Sequence, residues 1–132
     1  MKIISKITQL ALIQLVILIS ADFTQAAESK YELLFKSGRF IPEANLEATL
    51  QNPEIYPDEV FGGVYFRLLQ FEEIPGELAK TQLNASGIRL ISYFPNYAYM
   101  ASINRYADLS VLRIYKCRAV LKIDADYKLS NL

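Results

Sequence analysis

The chain has 132 residues, enough for one modest domain, and its 52% hydrophobic, 12% aromatic and 21% charged residues exclude disorder as the main state. Fourteen basic side chains offset fourteen acidic ones, so no basic field exists to drive nucleic-acid binding by counterion release. With no histidine and one cysteine, Cys117, the chain can build no Ser-His-Asp or Cys-His site, no intramolecular disulfide and no thiolate metal cage. It is therefore expected to be non-enzymatic, with no cofactor and no metal.

Residues 1–26 read as a secretory signal peptide. Lys2 and Lys6 give the positive start, and Leu10–Ile19 forms an apolar core interrupted by Gln14. Thr24-Gln25-Ala26 supplies small residues where a signal peptidase cuts, so cleavage is expected near Ala26. The apolar run is shorter than the roughly 20 residues that span a bilayer, which argues against a stable membrane anchor. A secreted or periplasmic protein is expected. Removing this segment takes away Lys2, Lys6 and Asp22 and leaves one acidic group in excess.

Residues 27–59 carry Gly38, Pro42, Asn52-Pro53 and Pro57, the punctuation of an extended leader, with a short strand at 31–36 and one helical turn near 44–50. From Val60 the pattern changes. Val60–Phe71 predicts a strand bulged at Gly62-Gly63. Pro75 marks a helix start, Leu78, Ala79 and Leu83 its apolar stripe, and Gly87 a left-handed residue at its end. Ile88–Phe94 and Tyr97–Ile103 predict a hairpin turning at Pro95-Asn96. Asn104 is placed as the cap of a second helix that buries Leu109 and Leu112, with Asp108 near its positive end. Arg118–Tyr127 closes as a fourth strand, with Cys117 beside it as a buried, unreactive residue.

The order strand-helix-strand-strand-helix-strand predicts an α+β, ferredoxin-like fold spanning 60–127: a four-stranded antiparallel sheet with two helices on one face. Residues 128–132 follow as a tail. The other sheet face should be polar if bare. Instead both alternating sets are apolar or aromatic: Val64, Phe66 and Leu68 against Tyr65, Leu69 and Phe71, with Arg67 among the latter. A second cover is expected. It is either the leader, a second copy or a partner protein, since Tyr, Met and Arg are enriched at interface cores.

Several stretches are similar to a known family. Tyr65-Phe66-Arg67-Leu68-Leu69-Gln70-Phe71, Ile74-Pro75 and the run Gly87–Tyr99 with Tyr93, Pro95 and Tyr99 resemble the N-terminal prodomain of secreted bacterial subtilisin-like serine peptidases. Tyr31–Gly38 and Ile41-Pro42-Glu43 look like the leader of the same proteins. The resemblance covers about residues 30 to 130. It implies a propeptide that acts as an intramolecular chaperone and inhibitor, its open sheet face docked on the peptidase and its C-terminal tail in the substrate cleft as a cleaved product would lie.

Carried onto this chain, the resemblance assigns Tyr65, Arg67, Arg89, Tyr93 and Tyr99 to the open face. It assigns Tyr127, Lys128, Leu129 and Leu132 to the tail. The partner is expected to be a subtilisin-like serine peptidase, in cis in a longer precursor or in trans. The alternative is a secreted structural or self-associating module, such as a homodimer, that uses the open face and has no peptidase partner.

Overall fold

The computed structural model describes residues 30–123. The chain divides into two units at Tyr31/Glu32, and from Glu32 onward the described residues form one compact unit. The predicted signal peptide and the assigned tail residues Tyr127, Lys128, Leu129 and Leu132 lie outside the described residues.

The fold is α+β and ferredoxin-like. Its main sheet is built from β3 (Val64–Phe71), β4 (Ile88–Phe94), β5 (Ala98–Asn104) and β6 (Cys117–Leu121), in the spatial order β4-β5-β3-β6 with every neighbouring pair antiparallel. The two crossovers carry α2 (Glu77–Ala85) and α3 (Val111–Ile114). Ahead of them come a hairpin of β1 (Leu33–Phe35) and β2 (Gly38–Phe40), then α1 (Leu46–Gln51) and a 3₁₀ turn at Pro57–Glu59.

Alternation along each strand divides the sheet into two faces. The inner face puts Tyr65, Leu69 and Phe71 of β3 with Ile88, Tyr99, Ala101, Ile103, Cys117 and Val120. Against them lie Leu46 of α1, Leu83 of α2 and Leu112 of α3, so three helices share one core. Tyr99 lies edge-on between two rings, with centroids 6.1 Å from Phe71 and 5.2 Å from Tyr93. The outer face has its own smaller core. Leu33 and Phe35 of the leader hairpin sit on Leu68 and Ala98, with Phe40, Phe94, Leu121 and Ile123 packed around them. Phe35 stacks on Phe40 with ring centroids 5.4 Å apart.

Polar groups fasten that hairpin. Gln70, fully buried, donates from Nε2 to the Asn96 carbonyl at 2.9 Å and accepts at Oε1 from Arg118 Nη1 at 2.7 Å. Arg118 Nη1 also donates to the Pro42 carbonyl, and the Asn96 side-chain amide donates to the Glu32 carbonyl. The leader is therefore part of the fold rather than an extended appendage. A buried glutamine is tolerated there because both ends of its amide are satisfied.

Several local expectations change. The strand expected from Val60 begins at Val64, because Gly62 and Gly63 both take positive φ (59° and 82°) and turn the chain so that Phe61 bridges back to Val64. Two consecutive left-handed residues make a tight turn there, not a bulge. Gly87 (φ +87°) ends α2 as expected, and a Cβ there would meet Asn104 Cβ at 3.1 Å and Ala107 Cβ at 3.2 Å. Leu78 does not join the apolar stripe: it is 74% exposed, while Leu83 is fully buried.

Asn104 does not cap the second helix. Its Oδ1 accepts from Tyr106 N–H, and the helix shrinks to Val111–Ile114 after a turn in which Asp108 accepts from Ser110 N–H. The β4–β5 turn runs through Asn96 and Tyr97, both at positive φ, which moves the start of β5 to Ala98. Among the described residues the fourth strand is paired over Cys117–Leu121, and the part of it expected at 124–127 lies outside them.

Candidate protein-docking face

Strand register arranges the outer face in cross-strand rows. Phe94, Ala98, Gln70 and Ala119 form one row, and Ser92, Met100, Leu68 and Leu121 the next. The hairpin core lies over the first row and the Leu68–Leu121 end of the second, leaving Ser92 and Met100 outside it. Beyond them come Arg89, Ser102 and Phe66, and then Asn104 and Val64. These last rows are open. Phe66 is 46% exposed, Arg89 and Ser92 are exposed, and Met100, Ser102 and Val64 are half-buried. Phe61, bridged to Val64, adds an exposed ring at the same end.

Charge in the strand rows of this face has one sign. No residue in the four outer-face rows is acidic, and Arg89 makes no ion pair or side-chain hydrogen bond with the described residues. Arg105, directly after β5, is exposed and lies over the Tyr106 ring at 5.0 Å. The face offers an aromatic platform, two small hydroxyl residues and an available guanidinium.

Of the residues assigned to the open face, only Arg89 stands there. Tyr65, Arg67 and Tyr99 are buried on the inner face, and Tyr93 also faces inward, packed on Tyr99 at the sheet edge. The reason is the charge that sequence parity could not place. Arg67 is 5% exposed and locked by a two-pronged bridge to Glu59, Nη2 to Oε1 at 2.7 Å and Nη1 to Oε2 at 3.2 Å. It also donates to the carbonyls of Phe66 and Glu54 and lies over the Tyr65 ring at 4.8 Å.

The Arg67 guanidinium, helped by Tyr56 N–H and by Lys122 at 3.3 Å, holds the Glu59 carboxyl down at about 2 although partial burial opposes it. A paired buried arginine carries its partner inward with it, so the odd-numbered residues of β3 face the helices. Phe66, Met100 and Ser102 were missed as face residues for the same reason. The signal that could have found them is Glu59, an acid upstream able to neutralise Arg67.

A cleft of about 320 Å³ opens beside this cluster, lined by Asn45, Thr49, Asn52, Arg67 and Lys122 among others. Its two basic groups, Arg67 and Lys122, are already committed to Glu59, and Glu54 is the other charged residue in the lining. Cys117 is buried, and burial pushes its thiol up to about 12. Glu72 and Glu73 are exposed, with Glu73 paired to Lys116 at 2.9 Å. Among the described residues no three Cys, Asp or Glu side chains converge as a metal ion requires, and no helix is long and apolar enough to cross a membrane.

Residues 34–124 match a protein family described as a domain of unknown function, DUF8729. The chain belongs to the DUF8729 family. The match begins inside β1 and takes in the whole of the main sheet, so the leader hairpin and the sheet it covers fall within one DUF8729 domain. No curated protein and no solved structure matches the chain.

Proposed function

We propose that this DUF8729 chain is a non-catalytic, subtilase-propeptide-like domain that binds a secreted subtilisin-like serine peptidase and inhibits it or assists its folding. The observation that carries the proposal is the half-open outer face. A ferredoxin-like sheet whose hairpin covers only the Leu68/Ala98 end keeps Phe66, Met100 and Arg89 available for another protein. The Tyr93-Pro95-Tyr99 stretch that carries the resemblance falls on the β4–β5 hairpin, as a propeptide of that kind would have it. In this proposal the chain acts outside the cytoplasm after cleavage near Ala26, needs no cofactor, and uses residues 127–132 as a product-like tail in the peptidase cleft.

The test is residual proteolysis by a secreted subtilisin-like peptidase from the same source, measured against concentration of the chain lacking residues 1–26. Saturable inhibition, or faster recovery of the unfolded peptidase, is expected. Loss of inhibition on deleting residues 127–132 would assign it to the tail. A chain that is digested without inhibiting and does not help refolding would sink the proposal. One observation favours a second reading, a structural module with no peptidase partner: the seat of Leu33 and Phe35 on the sheet already supplies part of a cover.

A further inference from the structure

We infer that the protein docked on the open rows of the outer face presents a carboxylate to Arg89, set within an apolar surface that covers Phe66 and Met100. The inference rests on the propeptide-like reading and names the chemistry of the partner peptidase's contact surface.

Register fixes the geometry. Arg89, Ser102 and Phe66 form one row across β4, β5 and β3, so their Cα positions span two strand spacings, roughly 10 Å from Arg89 to Phe66, with a serine between them. An apolar surface laid over Phe66 and Met100 comes down beside Arg89 and strips water from it. An arginine desolvated without a counter-charge opposes binding, whereas one given a carboxylate supports it and selects the partner. The four strands do not supply that carboxylate, since none of their outer-face positions is acidic, and the nearby hairpin acid Glu32 is paired to Arg39. Arg67 and Arg113, in contrast, have Glu59 and Glu47 as partners within this chain.

Charge also decides between occupants. A second copy seated on the open rows would bring no carboxylate from its own four strands to Arg89 and would add a second Arg89, which disfavours docking. Residues 124–132, which continue from Ile123 at the rim of the hairpin core, carry Asp124 and Asp126 and have the right sign. The experiment must therefore separate them from the peptidase.

Inhibition of the purified secreted peptidase is compared for wild type, Arg89→Lys, Arg89→Ala, Arg89→Glu and Phe66→Ala at low and high salt. Because Arg89 is exposed and makes no ion pair or side-chain hydrogen bond with the described residues, unchanged urea midpoints are expected for its variants. Arg89→Glu should weaken inhibition by about tenfold or more, and Arg89→Ala by less. Arg89→Lys should stay near wild type, and the salt dependence should shrink in Arg89→Ala.

Full inhibition by Arg89→Glu, with wild type also inhibiting, overturns the inference and leaves the propeptide-like reading standing. No inhibition by wild type overturns both. A concentration-dependent dimer that Arg89→Glu dissociates assigns the face to a second copy and overturns it. So does an Arg89→Glu effect that disappears when residues 124–132 are deleted, because the carboxylate then belongs to this chain.

Discussion

The side-chain amide of Asn45 pairs with both backbone groups of Val120: Nδ2 donates to the Val120 carbonyl at 2.9 Å, and Oδ1 accepts from the Val120 N–H at 2.8 Å. The Asn45 backbone N–H donates to the Arg118 carbonyl at 3.0 Å. One residue thereby serves β6 as a neighbouring strand would. Asn45→Ala should cost about 1–2 kcal/mol in urea unfolding, since a part-buried strand loses two hydrogen bonds at once. Asn45→Asp keeps the acceptor but sets a carboxylate beside the Val120 carbonyl, so it should be no better than alanine. Faster exchange of the Val120 amide in both variants would locate the loss at β6; unchanged exchange would refute the role.

Glu59 sets a pH limit on stability. Its carboxyl is held at about 2 in the folded chain against an ordinary value near 4.5, with the Arg67 hydrogen bonds as the largest cause. A depressed carboxyl stabilises the fold above its unfolded value, and that contribution is lost as pH falls from about 4.5 toward 2. At pH 7, Glu59→Gln leaves Arg67 buried without a counter-charge and should cost roughly 3 kcal/mol. The gap between wild type and Glu59→Gln should narrow steadily as urea titrations move below pH 4.5. A gap that stays constant down to pH 2.5 would contradict this assignment.

Phe35 tests whether the leader hairpin belongs to the fold. It is 5% exposed, seated on Leu68 and stacked on Phe40. Phe35→Ala should destabilise by about 3 kcal/mol and raise binding of an apolar fluorescent dye as the hairpin loosens from the sheet. On the exposed side of the same strand, Leu34 is 62% exposed, and Leu34→Ala should change stability by no more than about 0.5 kcal/mol. Equal effects of the two substitutions would show that the hairpin does not pack as described.

Cys117 should resist thiol reagents. Burial pushes its thiol up to about 12, leaving little thiolate at pH 8 and no open path to it. A chromogenic disulfide reagent should react with less than one equivalent over minutes in native buffer and with one equivalent at once in denaturant. Prompt reaction in native buffer would contradict the buried placement.

The order of the elements was legible in the sequence because each carries its own punctuation. Gly87 ends a helix, Pro95-Asn96 turns a hairpin, and β4 falls on Ile88–Phe94 as the pattern predicts. The face of β3 was not legible. Val64, Phe66 and Leu68 are as apolar as Tyr65, Leu69 and Phe71, so alternation alone left two answers, and Arg67 pointed to the wrong one. What decides it is Glu59, eight residues earlier in a proline-rich stretch with no periodicity to announce it. The leader hairpin was hidden for a similar reason. Three-residue strands are too short for alternation to show, and their fastening runs through Gln70, Asn96 and Arg118, far away in sequence.

A sheet with one edge closed has a defined capacity for growth. Asn45 occupies the Arg118 carbonyl and both backbone groups of Val120, while β4 forms the opposite edge of the four-stranded sheet. Two copies joined β4 to β4 would leave a β6 at each end, and neither end would accept a third strand partner. Cross-β polymers need every member to offer two edges. Among the described residues the four-stranded sheet offers one, interrupted by the register shift between Leu90 and Ser92, so strand-to-strand growth of this sheet terminates at a pair.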